Sequence, residues 1–266
     1  MCRAPRKSYP VPGRYGIAVD STVWIVALGA IAGGFVQGLS GFAFGLVAMS
    51  FWAWALEPQF AAALAVFGAL SGQIVAALTV RRGFDWKALA PFLAGGLVGV
   101  PIGVTILPML NVHLFKAALG ALLVVWCPVM LLARQLPPVT FGGRFADGVA
   151  GLLGGILGGI GGFSGPVPTL WCTLRRLDRD RQRSIIQNFN LAMLSCAMAA
   201  FVAKGIVTRD MLPMFAIVAL AMLVPTLLGA RLYIGLSEES FRRIVLTLLT
   251  LSGIAFLASA APHLLR

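Results

Sequence analysis

The run Gly154-Gly155-Ile156-Leu157-Gly158-Gly159-Ile160-Gly161-Gly162-Phe163-Ser164-Gly165-Pro166 constrains this chain more than any other stretch. It is too apolar for a surface loop. It is also too rich in glycine for an ordinary helix, because each interior glycine costs about 1 kcal/mol relative to alanine. An earlier copy stands at Gly33-Gly34-Phe35-Val36-Gln37-Gly38-Leu39-Ser40-Gly41-Phe42. A shift of 121 positions lays Gly33, Gly34, Gly38, Gly41 and Phe42 on Gly154, Gly155, Gly159, Gly162 and Phe163 without a gap. Paired helix interruptions, one in each half of a membrane protein, mark the place where transporters hold their cargo.

The rest of the chain suits a bilayer. Apolar residues make up 59% of the 266, charged residues only 11%, and mean hydropathy is +0.92; soluble domains carry about 25% charged residues. Several runs of roughly 18 to 22 apolar residues are each long enough to cross a hydrocarbon core about 30 Å thick. The expected fold is an all-α polytopic membrane protein of two tandem homologous halves. Each half has about four spans and a broken or re-entrant Gly-rich segment. Residues 1–16 form a basic cytoplasmic N-terminal tail, 17–134 the first transmembrane repeat, 135–145 a linker and 146–266 the second repeat. The first span is expected to start after Asp20 and Ser21, a plausible cap. The piece from Phe44 to Leu56 measures roughly 20 Å as a helix, too short for a comfortable crossing. Its counterpart runs from Pro166 to Leu174. Gly103 and Phe115 stand 12 positions apart, as do Gly229 and Phe241, so the duplication extends beyond the glycine motif.

Net charge is +12, and the basic residues sit in short loops between apolar runs. That distribution is an orientation signal rather than the basic face of a nucleic-acid-binding module. It places the N-terminus, Arg81 to Lys87 and Arg134 to Arg144 on one side. The loop from Arg175 to Arg183 holds five arginines against Asp178 and Asp180. It reads either as a cytoplasmic anchor or as a vestibule that collects anions, since guanidinium forks match oxyanions. The four cysteines are widely spaced and suggest neither a disulfide framework nor a zinc site.

The glycine runs are where chemistry is expected. They expose backbone N–H and C=O groups, which within lipid must find partners in protein or in a wet cavity. Ser164 is a suitable N-cap and Pro166 suits a first helical turn. The helix starting there would aim free N–H groups and a positive dipole end at the break, a combination that favours anions. The expected substrate-binding residues are therefore Gln37, Gly38, Ser40, Gly41 and Phe42 at the first break, and Gly161, Gly162, Phe163, Ser164 and Gly165 at the second. Arg183, Gln187 and Asn190 join them from the following span, with Trp171 shaping the pocket. None of the nine carboxylates falls in the middle of an apolar run, which fits anionic cargo better than a cation. Gly38-Leu39-Ser40-Gly41 and Gly162-Phe163-Ser164-Gly165 also match the GxSG of intramembrane serine hydrolases. That chemistry needs a base, and the two histidines, His113 and His263, sit at span ends.

The duplicated glycine motif, Arg81-Arg82-Gly83-Phe84-Asp85-Trp86, and the Gly99-x-x-x-Gly103 to Phe115 spacing with its copy resemble the sulfite exporter (TauE/SafE) family. That family is also called the toluene-sulfonate uptake permeases. The resemblance spans residues 20 to 260 and implies a multi-pass permease of the bacterial inner membrane for small organic or inorganic anions. Sulfite, sulfoacetate and other sulfonates are its typical cargo. This chain differs from the common pattern in its arginine-dense loop and in Gln37 and Ser40, so a carboxylate or sulfonate head group fits equally. The expected activity is secondary transport by alternating access, one half rocking on the other. The alternatives are an intramembrane hydrolase using a GxSG serine, and a non-transporting membrane subunit or channel. Expected partners are a small anionic substrate and the lipid bilayer, with a homodimer as an option and no nucleic acid; no cofactor and no metal are expected.

Overall fold

The structure, a computed structural model, describes residues 16–79, 83–133, 135–232 and 238–264. The basic tail before residue 16 and Arg81, Arg82 and Arg134 lie outside the described residues. Every regular element among those described is helical: α1 Gly16–Ser40, α2 Phe44–Trp52, α3 Pro58–Thr79, α4 Trp86–Ile106, α5 Val112–Leu132, α6 Gly143–Gly161, α7 Pro166–Leu174, α8 Arg179–Ala203, α9 Leu212–Leu232 and α10 Glu238–Leu264. Seven of the helices are long and apolar enough to cross a membrane; the short α2 and α7 and the glycine-rich α6 are not among these.

Helix starts follow side-chain chemistry where it is present. Asp85, Asn111 and Asp178 each accept a hydrogen bond from a backbone N–H one turn ahead, that of Ala88, Leu114 and Arg181. Such a cap satisfies one of the orphan donors of a first turn and contributes about 1 kcal/mol. Asp20 and Ser21 do not act this way. Helix α1 already begins at Gly16 and runs through them, because the apolar run it extends continues without a break.

The most extensive helix pairings are α4 with α6, α1 with α9 and α5 with α10. The first two depend on glycine. In the α1–α9 pair Gly34 lies against the Met222 backbone, Gly38 against the Thr226 carbonyl and Gly229 against the Phe35 carbonyl. In the α4–α6 pair Gly155 lies against the Gly96 backbone, Gly159 against the Val100 carbonyl and Gly103 against the Ile156 carbonyl. Inside lipid, where apolar surface gains nothing by leaving water, such close backbone approach is a main source of helix association.

These contacts also fix direction. Successive turns of α1 meet successive turns of α9 in the same sense, and α4 and α6 are likewise parallel. Gln37 of α1 bonds Ala69 of α3, and Gln73 of α3 bonds Gly41, so α1 and α3 are parallel too. Trp52, the last residue of α2, donates to the carbonyls of Ile25 and Val26, which shows that α2 doubles back along α1. Gly83 and Asp85, just before α4, contact Ser184 and Arg181 at the start of α8. One end of the bundle therefore gathers Lys87, Arg144, Arg175, Arg176, Arg179, Arg181 and Arg183. The start of α1 lies at the other end, beside the start of α3. The orientation signal had put the N-terminus and Arg81 to Lys87 on one side; an odd number of passages separates α1's start from Gly83, so the two lie at opposite ends.

The α4–α6 seam yields a sharp contrast. An alanine Cβ at Gly99 would overlap the Leu152 carbonyl, whereas at Gly148 its nearest neighbour would be the Pro91 oxygen at 3.6 Å. Gly99→Ala is expected to lose about 1–3 kcal/mol through overpacking, and Gly148→Ala to be neutral or to gain up to about 1 kcal/mol from helix propensity. Thermal unfolding in detergent measures both.

Candidate functional site

Both breaks are built on a left-handed glycine. At the first, α1 ends at Ser40 and Gly41 turns at φ +82, its N–H donating to the Gln37 carbonyl at 2.7 Å. The Ser40 hydroxyl then accepts from the N–H groups of Phe42 and Ala43 at 3.4 and 3.3 Å, leading the chain into α2. Two amides hold this turn from α1 and α3. Gln73 Nε2 donates to the Gly41 carbonyl at 2.6 Å, and Gln37 Nε2 to the Ala69 carbonyl at 3.0 Å. Gly72 leaves the space that the Gln37 amide fills.

At the second break Gly162 has φ +76. Its N–H bonds the Gly158 carbonyl and that of Phe163 the Leu157 carbonyl, so a left-handed glycine closes the helix end and satisfies two of its last carbonyls. The expected cap on α7 is absent. Gly165 occupies the N-cap position without a side-chain bond, and the Ser164 hydroxyl donates to Asn190 Oδ1 at 2.9 Å. Asn190 competes successfully because α8 presents its amide at the break. Ser164 is thus paired with an amide, and His113 stacks on His263 at the far end of α5 and α10.

The two breaks touch. The Phe42 ring packs on Gly165, while Gly45 sits against the Gly162 carbonyl and the Phe163 ring. Trp126 of α5 braces the junction, donating from Nε1 to the Pro166 carbonyl at 2.8 Å and meeting Phe42 edge-on with centroids 6.2 Å apart. The environments of the two breaks nevertheless differ. The first opens onto a cavity of about 690 Å³; the residues Gly161 to Gly165 of the second are all buried.

Of the residues expected from sequence, Gln37, Gly38, Ser40, Gly41, Phe42, Arg183 and Gln187 line that cavity. Gly161, Gly162, Phe163, Ser164, Gly165 and Asn190 do not; they lie packed beyond its floor. Trp171 is also elsewhere, donating to Asp147 Oδ1 at 2.7 Å. Asp147 is buried at the start of α6 and pairs with Arg175 at 2.6 Å, tying both ends of the α6–α7 hairpin. Sequence reasoning missed Trp126, Thr169, Thr173 and Thr226, which complete the wall from α5, α7 and α9. Only Thr226 carried a local signal, following Pro225 within a helix. The mouth carries Arg176, Arg179 and Arg183 against Asp180. Arg176 is the one non-glycine residue with positive φ among those described, at 54. Backbone strain of that kind costs about 1–3 kcal/mol and persists only where the surroundings impose it; here the Leu136 carbonyl accepts from its guanidinium.

The helix end that faces the cavity is therefore that of α2, through Ser40, Phe42 and Ala43, and not that of α7. A family model described as sulfite exporter TauE/SafE matches residues 25–256. The chain belongs to this family. No curated protein matches it, and no solved structure does. TauE/SafE is a transporter family, so the chain is a multi-pass membrane protein of a transporter type, and the matched stretch includes both breaks and the whole cavity.

The difference between the breaks is directly measurable. In a variant lacking the native cysteines, a thiol at Ser40→Cys is expected to react with a membrane-impermeant maleimide added at the arginine-bearing face. Ser164→Cys is expected to react at least tenfold more slowly from either face, as the burial of Ser164 requires.

Proposed function

We propose that this TauE/SafE protein is a secondary permease of the bacterial inner membrane for a small anion. In this reading it works by alternating access around the paired breaks, and the cavity at the arginine-bearing end is its cytoplasmic entrance. The observation that carries this reading is the cavity. It ends at a helix interruption, faces the N-terminal end of a short helix and has arginines at its mouth. A helix N-terminus contributes roughly half a positive charge, and the guanidinium groups raise the local anion concentration.

Support for the two-repeat architecture comes from register. Moving α1 by 121 positions and α9 back by 126 turns each α1–α9 contact into an α6–α4 contact. Gly34 with Met222 becomes Gly155 with Gly96, and Gly38 with Thr226 becomes Gly159 with Val100. Because α1 and α6 run in opposite directions, the repeats are inverted about an axis in the membrane plane, the arrangement in which alternating access exchanges the conformations of two halves. The closed second break is then the counterpart of the open first one.

The register also changes which parts move. A half rocking on the other half would tear the glycine seams, since each seam joins a helix of one repeat to a helix of the other. The stiff units are the cross-repeat pairs α1–α9 and α4–α6, and motion belongs to the junction where Phe42 meets Gly165 and Phe163 meets Gly45.

Reconstituted in liposomes, the protein is expected to give saturable anion flux that is accelerated by anion on the opposite side. Gly41→Val, which forces a branched side chain into φ +82, is expected to reduce flux at least tenfold at equal protein level. Flux that rises linearly with concentration, without stimulation from the opposite side, would contradict a carrier.

A further inference from the structure

Helices α9 and α10 follow one another in the chain and do not share a seam. Among the described residues α9 packs on α1 and α3, and α10 on α5 and α2. Both nevertheless border the cavity, α9 with Leu227 and Ala230 and α10 with Val245 and Leu249. On its outer flank α9 carries a groove of about 180 Å³ formed by Val224, Leu227, Leu228 and Arg231. These positions are spaced i, i+3, i+4 and i+7, a single stripe along the helix. Leu227 belongs to both surfaces, so one side chain divides the cavity from the groove at that point.

The stripe ends in a cation that lies deep. A Cβ at Gly38 would stand 2.9 Å from the Ala230 nitrogen, so Arg231 is nearly level with the first break. Helix α3 bonds that break through Gln73 and continues to Thr79, which adds about 9 Å toward the arginine-bearing end. Arg231 is exposed and makes no hydrogen bond or ion pair among the described residues. A guanidinium at such a depth calls for an anion. The three apolar side chains beside it are exposed as well. An anionic head joined to an apolar tail satisfies both halves of the stripe.

We propose that an anionic phospholipid of the leaflet at the arginine-bearing end occupies this groove. Its phosphate sits on Arg231 and one acyl chain lies along Leu228, Leu227 and Val224. That chain closes the flank of the cavity where α9 and α10 do not meet. A zwitterionic lipid carries its own ammonium, which weakens the attraction to Arg231. A second copy docked here about a two-fold axis would bring its own Arg231 to the same depth, like charge toward like charge. Lipid binding of this kind requires the fold alone and no transport step.

The full-length protein in detergent is titrated with phosphatidylglycerol and phosphatidylcholine, reading unfolding temperature and, by native mass spectrometry, bound lipid. Phosphatidylglycerol is expected to act at a concentration at least tenfold below that of phosphatidylcholine. In Arg231→Gln this preference is expected to shrink at least fivefold, whereas Arg209→Gln, at the opposite end of α9, leaves it unchanged. Leu228→Gln, which puts an amide in the path of the tail, serves as a second variant and is expected to weaken phosphatidylglycerol binding at least threefold. In a variant lacking the native cysteines, phosphatidylglycerol is expected to slow maleimide labelling of Leu227→Cys at least fivefold. Equal action of the two lipids on the native protein would overturn the site, as would an undiminished preference in Arg231→Gln. Unslowed labelling at Leu227→Cys would overturn the lipid's part in the cavity wall. Disulfide cross-linking between copies through Val224→Cys in bilayers containing phosphatidylglycerol would replace the lipid with a second protomer.

Discussion

The fold depends on backbone touching backbone. Along α1–α9 and α4–α6 the glycines admit the partner helix so closely that a single methyl group at Gly38, Gly95, Gly99 or Gly159 would overlap a carbonyl oxygen. Water supplies no hydrophobic drive inside a bilayer, so van der Waals contact at this range substitutes for it. A seam of this kind has little slack. It either fits or separates, which makes each pair a rigid strut, and it leaves the remaining polar backbone, at Gly41 and Gly162, to be satisfied by specific partners. Gln73 provides one at the first break, and the Gly158 and Leu157 carbonyls provide them at the second.

Glycine and proline made much of this readable from the sequence. Helix α7 runs from Pro166 to Leu174 as the residue pattern indicates, because a glycine run and a proline fix a start locally. The two left-handed turns were likewise marked by Gly41 and Gly162. Features set by distant partners were not readable. Ser164 looks like a cap until Asn190, 26 residues away, claims its hydroxyl. Trp126, Thr169 and Thr226 become neighbours only when α5, α7 and α9 surround the first break. The position of α1's start was misjudged for a related reason. Charge in a tail is a statistical preference, whereas the direction of α1 follows from its bonds to α3.

The two breaks share a motif and differ in what faces them. Position 43 is Ala and its shifted partner is Ser164; position 40 is Ser and its partner is Gly161. Ser40 closes its turn onto its own backbone, accepting from Ala43, while Gln187 of α8 lies beside Gly41. Ser164 reaches across to α8, which binds the second break to that helix. Two serines offset by three positions thus bond differently, Ser40 within its own turn and Ser164 to Asn190 of α8.

The Asp147 cluster adds a second difference between the two breaks. Asp147 joins α6 to the far end of α7 through both Trp171 and Arg175, whereas in the corresponding α1–α2 hairpin Trp52 donates to the Ile25 and Val26 carbonyls. Charge-assisted bonds are roughly twice as strong as neutral ones, so the second hairpin is the stiffer of the two. A charge-tied hairpin thus stands beside the buried break, and one closed by neutral bonds stands beside the break that lines the cavity. In the permease proposed above, cargo entering from the arginine-bearing end would meet the break closed by neutral bonds first, where rearrangement costs less.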